Sequence, residues 1–370
     1  MRKGCLPTHR RMLGCILCFA IHLGLYGQDV FVCGWDEVQA VRIEGTNLWV
    51  MWRWRASESD LPEWTWQSFA TTDECKPYSD GRLIITSSGG ESLNGGVAVV
   101  QIPTGKTVFY ARAPNAHSAD LLPGDRVAVA LSYQSNGNRL VIFDLSKPDA
   151  EIFSTELQGG HGVVWDEQRR LLWALADYEI RAYVLGDWET VNPRLRVVYR
   201  QRLPGEGGHD LYPVPDSSEL LVTTVLNCWL FDRDGRTFRK HPLLGDVRNV
   251  KSVSVHPATG QIVYVRGEVQ WWSERLYFLN PEKLIFVPGQ RFYKARWIPP
   301  PKLKIEYRTN AVILRWSLLS LGFELQEAKQ LEDGLWEVVA GPYDSSFGDW
   351  CKCYLICDEK RFFRLQPVLR

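Results

Sequence analysis

The chain has 370 residues, with 43 basic and 43 acidic side chains, 45% hydrophobic residues and 16 tryptophans. That length suits one large repeat array or two domains with cores of their own, and the composition is neither disordered nor fibrous. The balanced charge leaves no basic footprint for nucleic acid and no polybasic membrane patch.

Residues 1–27 carry Arg2, Lys3, Arg10 and Arg11 but no acid, followed by an apolar stretch from Met12 to Tyr26. A charged lead, an apolar run and small residues near Gly27 predict a cleaved signal peptide over 1–27 and a secreted or periplasmic protein. Cys15 and Cys18 lie inside the apolar run, which argues against a lipoprotein signal. No later window reaches the roughly 18–20 apolar residues of a membrane span, so none is expected after cleavage. Without residues 1–27 the chain keeps 39 basic and 43 acidic groups, net −4, and the cysteines Cys33, Cys75, Cys228, Cys351, Cys353 and Cys357. Six cysteines allow 15 pairings and the spacing selects none. Cys351, Cys353 and Cys357 lack the paired spacing of a zinc site, so packing or a disulfide is expected there.

Along residues 28–298 a polar opener recurs, at Lys76, His117, His161, His209, Lys251 and Lys294, spaced by 41, 44, 48, 42 and 43 residues. After each of the first five come a turn signal, a β-branched or Leu-rich run such as Val127–Leu131, and a further run such as Leu140–Leu145. Strand, turn, strand at a period of about 40–50 residues predicts an all-β propeller. The sixth opener has only one strand before Pro299, and the missing strands stand at the N-terminus, in Val30–Cys33, Glu37–Ile43 and Leu48–Trp54. N-terminal strands therefore close the ring, giving six blades, or seven if Trp64–Phe69 belongs to another. A Pro-rich linker is expected over 299–303. Short strands at Lys304–Tyr307, Ala311–Trp316, Phe323–Glu327, Trp336–Val339 and Phe362–Leu365 then predict a small β-sandwich over 304–370.

The stretch from Cys33 to Trp297 resembles a family of secreted bacterial propeller proteins of unknown activity. The motifs are Asp73-Glu74-Cys75-Lys76-Pro77, Gly160-His161-Gly162-Val163-Val164-Trp165-Asp166, Gly207-Gly208-His209-Asp210-Leu211-Tyr212-Pro213 and Val250-Lys251-Ser252-Val253-Ser254-Val255-His256-Pro257. Ile313-Leu314-Arg315-Trp316 with Gly322-Phe323-Glu324-Leu325-Gln326 and Arg361-Phe362-Phe363-Arg364-Leu365 is similar to fibronectin-type modules appended to secreted bacterial proteins, which implies a spacer or anchor.

In a propeller the innermost strands begin near one mouth of the central channel, so the openers converge. His117, His161 and His209 are then neighbours, with Lys76, Lys251, Lys294 and Arg296 completing a cationic ring. Three neutral imidazoles can hold a divalent transition metal, with Asp120 and Asp210 orienting the rings. Without metal, the cations favour an acidic ligand such as a uronate. Loops on the same face carry Trp35, Asp177, Glu268, Trp271 and Trp272, and indole faces suit sugar rings. No G-x-S-x-G, H-E-x-x-H or P-loop is present. Three functions remain: a monomeric propeller binding an acidic carbohydrate, a metal-dependent lyase or hydrolase of polysaccharide, and a scaffold with a protein ligand on its rim.

Overall fold

The computed structural model describes residues 28–330, 335–345, 348–355 and 361–368. The expected signal peptide and Cys357 lie outside them. The chain divides into two compact units between Pro300 and Pro301.

The first unit holds six four-stranded antiparallel sheets. In chain order the strands of the closing sheet are β1 (Gln28–Cys33), β2 (Glu37–Glu44) and β3 (Asn47–Arg55). The next sheet is β4 (Thr72–Pro77), β5 (Arg82–Ser87), β6 (Gly96–Gln101) and β7 (Lys106–Arg112). It is followed by β8 (Ala116–Leu122), β9 (Arg126–Leu131), β10 (Arg139–Asp144) and β11 (Glu151–Glu156). The fourth sheet is β12 (Gly162–Asp166), β13 (Leu171–Leu175), β14 (Glu179–Gly186) and β15 (Arg194–Arg202). The fifth is β16 (Asp210–Pro213), β17 (Glu219–Thr223), β18 (Cys228–Asp232) and β19 (Thr237–Lys240). The sixth is β20 (Val250–Val255), β21 (Ile262–Arg266), β22 (Arg275–Leu279) and β23 (Lys283–Phe286). The last inner strand, β24 (Lys294–Trp297), pairs antiparallel with β1 through Val30↔Trp297 and Cys33↔Lys294. N-terminal strands thus complete the sheet that β24 begins, which removes two open edges. Each inner strand contacts the next around the ring, and β24 contacts β4. Trp64–Phe69 lies in a 3-10 helix (Glu63–Phe69) and adds no strand.

The strands alternate inward and outward in the way a face-to-face stack requires. Val97, Val99 and Phe109 of one sheet pack against Val127, Val129, Val141 and Phe143 of the next. Val30 and Val32 pack against Val263 and Val265 of the preceding sheet. Each such side chain, fully buried, contributes about 1.5–3 kcal/mol, which is how stacked sheets of four strands become stable. The inner strands are also joined by polar side chains reaching the neighbouring backbone. Ser118 accepts from Val163 N (3.3 Å), Asp120 from Trp165 N (3.0 Å), Asp210 from Val253 N (3.0 Å) and Ser252 from Ala295 N (3.1 Å).

The second unit has two three-stranded antiparallel sheets around Val312, Leu314, Trp316, Leu325 and Phe363. Strands form at the five predicted segments. A sixth, Asp349–Leu355, carries Cys351 and Cys353 and pairs antiparallel with the strand Ala311–Ser317. The five described cysteines are free thiols, and all but Cys353 are buried.

Candidate site at the channel mouth

One position per sheet, at the start of the inner strand, forms a layer at the mouth: Asp73, His117, His161, His209, Lys251 and Tyr293, of which the three histidines are half-buried and the other three buried. The backbone explains the equivalence. Asp73, His117 and Lys251 are each the extra residue of a β-bulge, at Thr72/Glu74, Ala116/Ser118 and Val250/Ser252. A bulge re-aims its side chain out of the pleat. The amides of His161, His209 and Tyr293 bond to the carbonyls of Leu175, Thr223 and Cys33 on the adjacent strands. Counted from Asp73, the spacings become 44, 44, 48, 42 and 42, more even than those counted from Lys76. That evenness was the available signal for Asp73 and Tyr293, which the choice of basic openers concealed.

The rings form a contiguous arc. His117 and His161 stack with centroids 4.3 Å apart, and His161 meets His209 edge-on at 5.5 Å. His209 Nε2 lies 3.0 Å from Lys251 Nζ, which donates to it. Tyr293 OH lies 3.3 Å from His117 Nδ1, and Asp73 Oδ1 lies 3.4 Å from the same nitrogen. His161 Nδ1 donates to Gly159 O at 2.9 Å, which leaves Nε2 as the acceptor. Burial governs the protonation of this layer. It pulls His161 down to about 4, Lys251 down to about 8 and pushes Asp73 up to about 7. His117 and His209 fall well below the usual imidazole range, first from burial and then from His161 beside His117 and Lys251 beside His209. At neutral pH the layer therefore holds neutral imidazoles, the Lys251 ammonium and an Asp73 carboxyl near its midpoint.

Five residues expected at the mouth are placed differently by the structure. Lys294 and Arg296 do not line the mouth. They are fully buried beneath it, where Arg296 spans Glu74 (2.8 and 2.9 Å) and Asp210 (2.7 and 2.9 Å), and Lys294 reaches the same two carboxylates at 3.3 and 3.1 Å. Burial raises the Glu74 carboxyl, but Arg296 and Lys294 overcome it and hold it below its ordinary value. Lys76 is buried too, bonded to Asp120 at 3.1 Å and to Val163 O at 2.8 Å. Asp120 and Asp210 accordingly serve these cations and do not orient the histidines. The cationic ring reduces to Lys251, because the other three charges are cancelled inside the channel by carboxylates that the residue pattern did not assign to them.

The three-histidine metal site does not fit this geometry. Imidazole lone pairs lie in the ring planes, so stacked rings direct them side by side and not at one point. Among the described residues no group of three or more His, Cys, Asp or Glu side chains is placed to hold a metal ion.

Around the arc, the loops joining second and third strands expose apolar side chains: Trp35, Tyr133, Tyr178, Val225, Leu226 and Val269. Trp271 packs edge-on against Tyr293 at 5.6 Å and extends the aromatic surface outward.

A closed ring of stacked antiparallel sheets whose inner strands converge on one mouth defines a β-propeller. The chain belongs to a family of unknown function, DUF6528, whose family model matches residues 29–312. No curated protein matches it. Among solved structures, the chain is similar to one in the nidogen/laminin complex, at 11% identity and a TM-score of 0.52, over 73% of this chain and 98% of that one. It also matches Saccharomyces cerevisiae Sqt1, at 15% identity and a TM-score of 0.40, over 70% and 69% of the two chains. At such identities the first likeness speaks for the fold alone.

Proposed function

We propose that this protein is an exported, monomeric binding propeller that holds an acidic carbohydrate at the histidine-lined mouth. The observation that carries the reading is Lys251. It lies at the mouth with no carboxylate within ion-pair distance among the described residues, beside neutral imidazoles that offer both donors and acceptors. A sugar carboxylate would pair with Lys251, hydroxyls would bond to His161 and His209, and a pyranose face would stack on Trp271. The C-terminal unit would act as a spacer. The filled channel beneath supports binding at one face without passage through the axis.

The test is calorimetric titration of the full chain with D-galacturonate and its linear trimer. Binding of both is expected, with Lys251→Met weakening each at least about tenfold, in line with a charge-assisted bond worth roughly 1.5–3 kcal/mol. Absence of binding, or indifference to Lys251→Met, would overturn the reading. A second reading, a protein ligand on the same face, is favoured by the exposed apolar loops, since such patches mark association surfaces. It is tested by whether an immobilised mouth-face variant, Tyr133→Ser with Tyr178→Ser, loses a partner that the wild type retains.

A further inference from the structure

Arg291 sits at the edge of the mouth face with its guanidinium over Trp35 at 3.5 Å and over Trp272 at 4.8 Å. It makes no hydrogen bond or ion pair among the described residues, although acids stand on neighbouring loops. Those acids are engaged elsewhere: Asp36 lies 3.9 Å from Arg55, and Glu268 is held by Ser273 (2.5 Å), Tyr277 (2.5 Å) and Arg275 (3.1 Å). A guanidinium stacked on aromatic faces keeps its donors in its own plane, free to fork onto a carboxylate.

The setting is built in advance. Gly34 has φ +150°, and a Cβ there would stand 2.4 Å from Arg291 O and 2.5 Å from Tyr293 N, so glycine lets the Trp35 loop close onto the segment that carries Arg291. Thr72 then ties that loop down, donating through its amide to Trp35 O at 2.6 Å and accepting from Gly34 N at 3.0 Å. On the other side, Phe292 and Ser273 exchange both backbone hydrogen bonds, at 2.8 and 3.0 Å, which fixes Trp272 beside Arg291. Arg291 and Tyr293 are two residues apart, at most about 7 Å along the chain. Trp271, Tyr293 and His117 bridge from this point to the histidine arc.

From this geometry we infer a second anion subsite at Arg291, joined by aromatic rings to the Lys251 subsite, so that the ligand is an oligomer with repeated carboxylates and not a single sugar. The inference rests on the reading above and names the class of ligand more closely. One acidic residue sits at Lys251, and another occupies the fork of Arg291 between the indoles of Trp35 and Trp272.

The experiment compares D-galacturonate with its linear trimer on wild type, Arg291→Gln and Trp35→Ala. The trimer should bind at least about tenfold tighter than the monomer, the usual gain when a second charged contact is linked to the first. Arg291→Gln should remove that advantage while leaving monomer affinity within about twofold, and Trp35→Ala should act the same way in smaller measure. Unchanged thermal unfolding of both variants guards against a folding effect. If the monomer binds but the trimer binds no tighter, or Arg291→Gln weakens both equally, the second subsite is wrong and the Lys251 reading stands. If neither ligand binds, both fall. A triglutamate peptide that binds as well as the sugar trimer would overturn the carbohydrate class.

Discussion

Replacing Arg296 with Met tests whether the ion cluster under the mouth is a structural plug. In the native protein Glu74 and Asp210 face Lys294 and Arg296 with no solvent contact, two charges of each sign. Arg296→Met leaves one uncompensated negative charge, and breaking a buried pair in this way costs about 3–5 kcal/mol. The same figure follows from a second route. The variant can escape the stranded charge by protonating one carboxyl, and from a normal Glu pKa of about 4.3 that costs roughly 3.7 kcal/mol at pH 7, at 1.36 kcal/mol per pH unit. Protonation becomes easier by about 2.7 kcal/mol between pH 7 and pH 5. The sign is fixed by linkage. In the native protein the Glu74 carboxyl is held below its unfolded value, so its contribution is complete throughout that window and is lost only at lower pH. In the variant the carboxyl is raised, and protonation of the folded state recovers stability as pH falls. Urea unfolding followed by tryptophan fluorescence should therefore give a deficit of about 4 kcal/mol at pH 7 that shrinks by roughly 2–3 kcal/mol at pH 5, with an unchanged denaturant slope. A deficit below about 1 kcal/mol at pH 7, or one that does not narrow at pH 5, would refute the account.

The buried histidines should make the native protein acid-sensitive. A folded pKa of about 4 for His161 means that the unfolded chain binds more protons between about pH 6.5 and 4, so stability falls through that window. The shift corresponds to roughly 2 kcal/mol lost between pH 6.5 and pH 5 for this group. Asp73, raised by burial, opposes the trend, and Lys251 completes its own change above pH 8. His161→Gln should flatten the decline, and melting temperatures measured across pH 7 to 4.5 would detect it; parallel curves for variant and wild type would contradict the assignment. For the metal question, elemental analysis of the purified chain after incubation with zinc and manganese should find no stoichiometric metal. One ion per chain, lost in the triple variant His117→Ala, His161→Ala, His209→Ala, would reverse the geometric argument.

The repeat period, the strand–turn–strand order and the placement of N-terminal strands beside the last opener were legible in the residues, because each is written locally in β-branched runs and turn signals. So was the approach of His117, His161 and His209, since equivalent positions of successive sheets must meet at the axis. The partners of the buried charges were not legible. Arg296 meets Glu74 across 222 residues and Asp210 across 86, and Lys294 meets the same pair, contacts that exist only once the ring has closed. Strand patterning specifies which face of a strand is inward, but not which of several inward charges will neutralise another across the channel. For that reason the sequence alone assigned Lys76, Lys294 and Arg296 to the mouth, whereas the tertiary structure pairs them with buried carboxylates and leaves Lys251 beside His209 and Arg291 over Trp35 and Trp272, neither with a carboxylate partner among the described residues. The bulges that aim Asp73, His117 and Lys251 are likewise set by register between paired strands, a property of two segments together and of neither by itself.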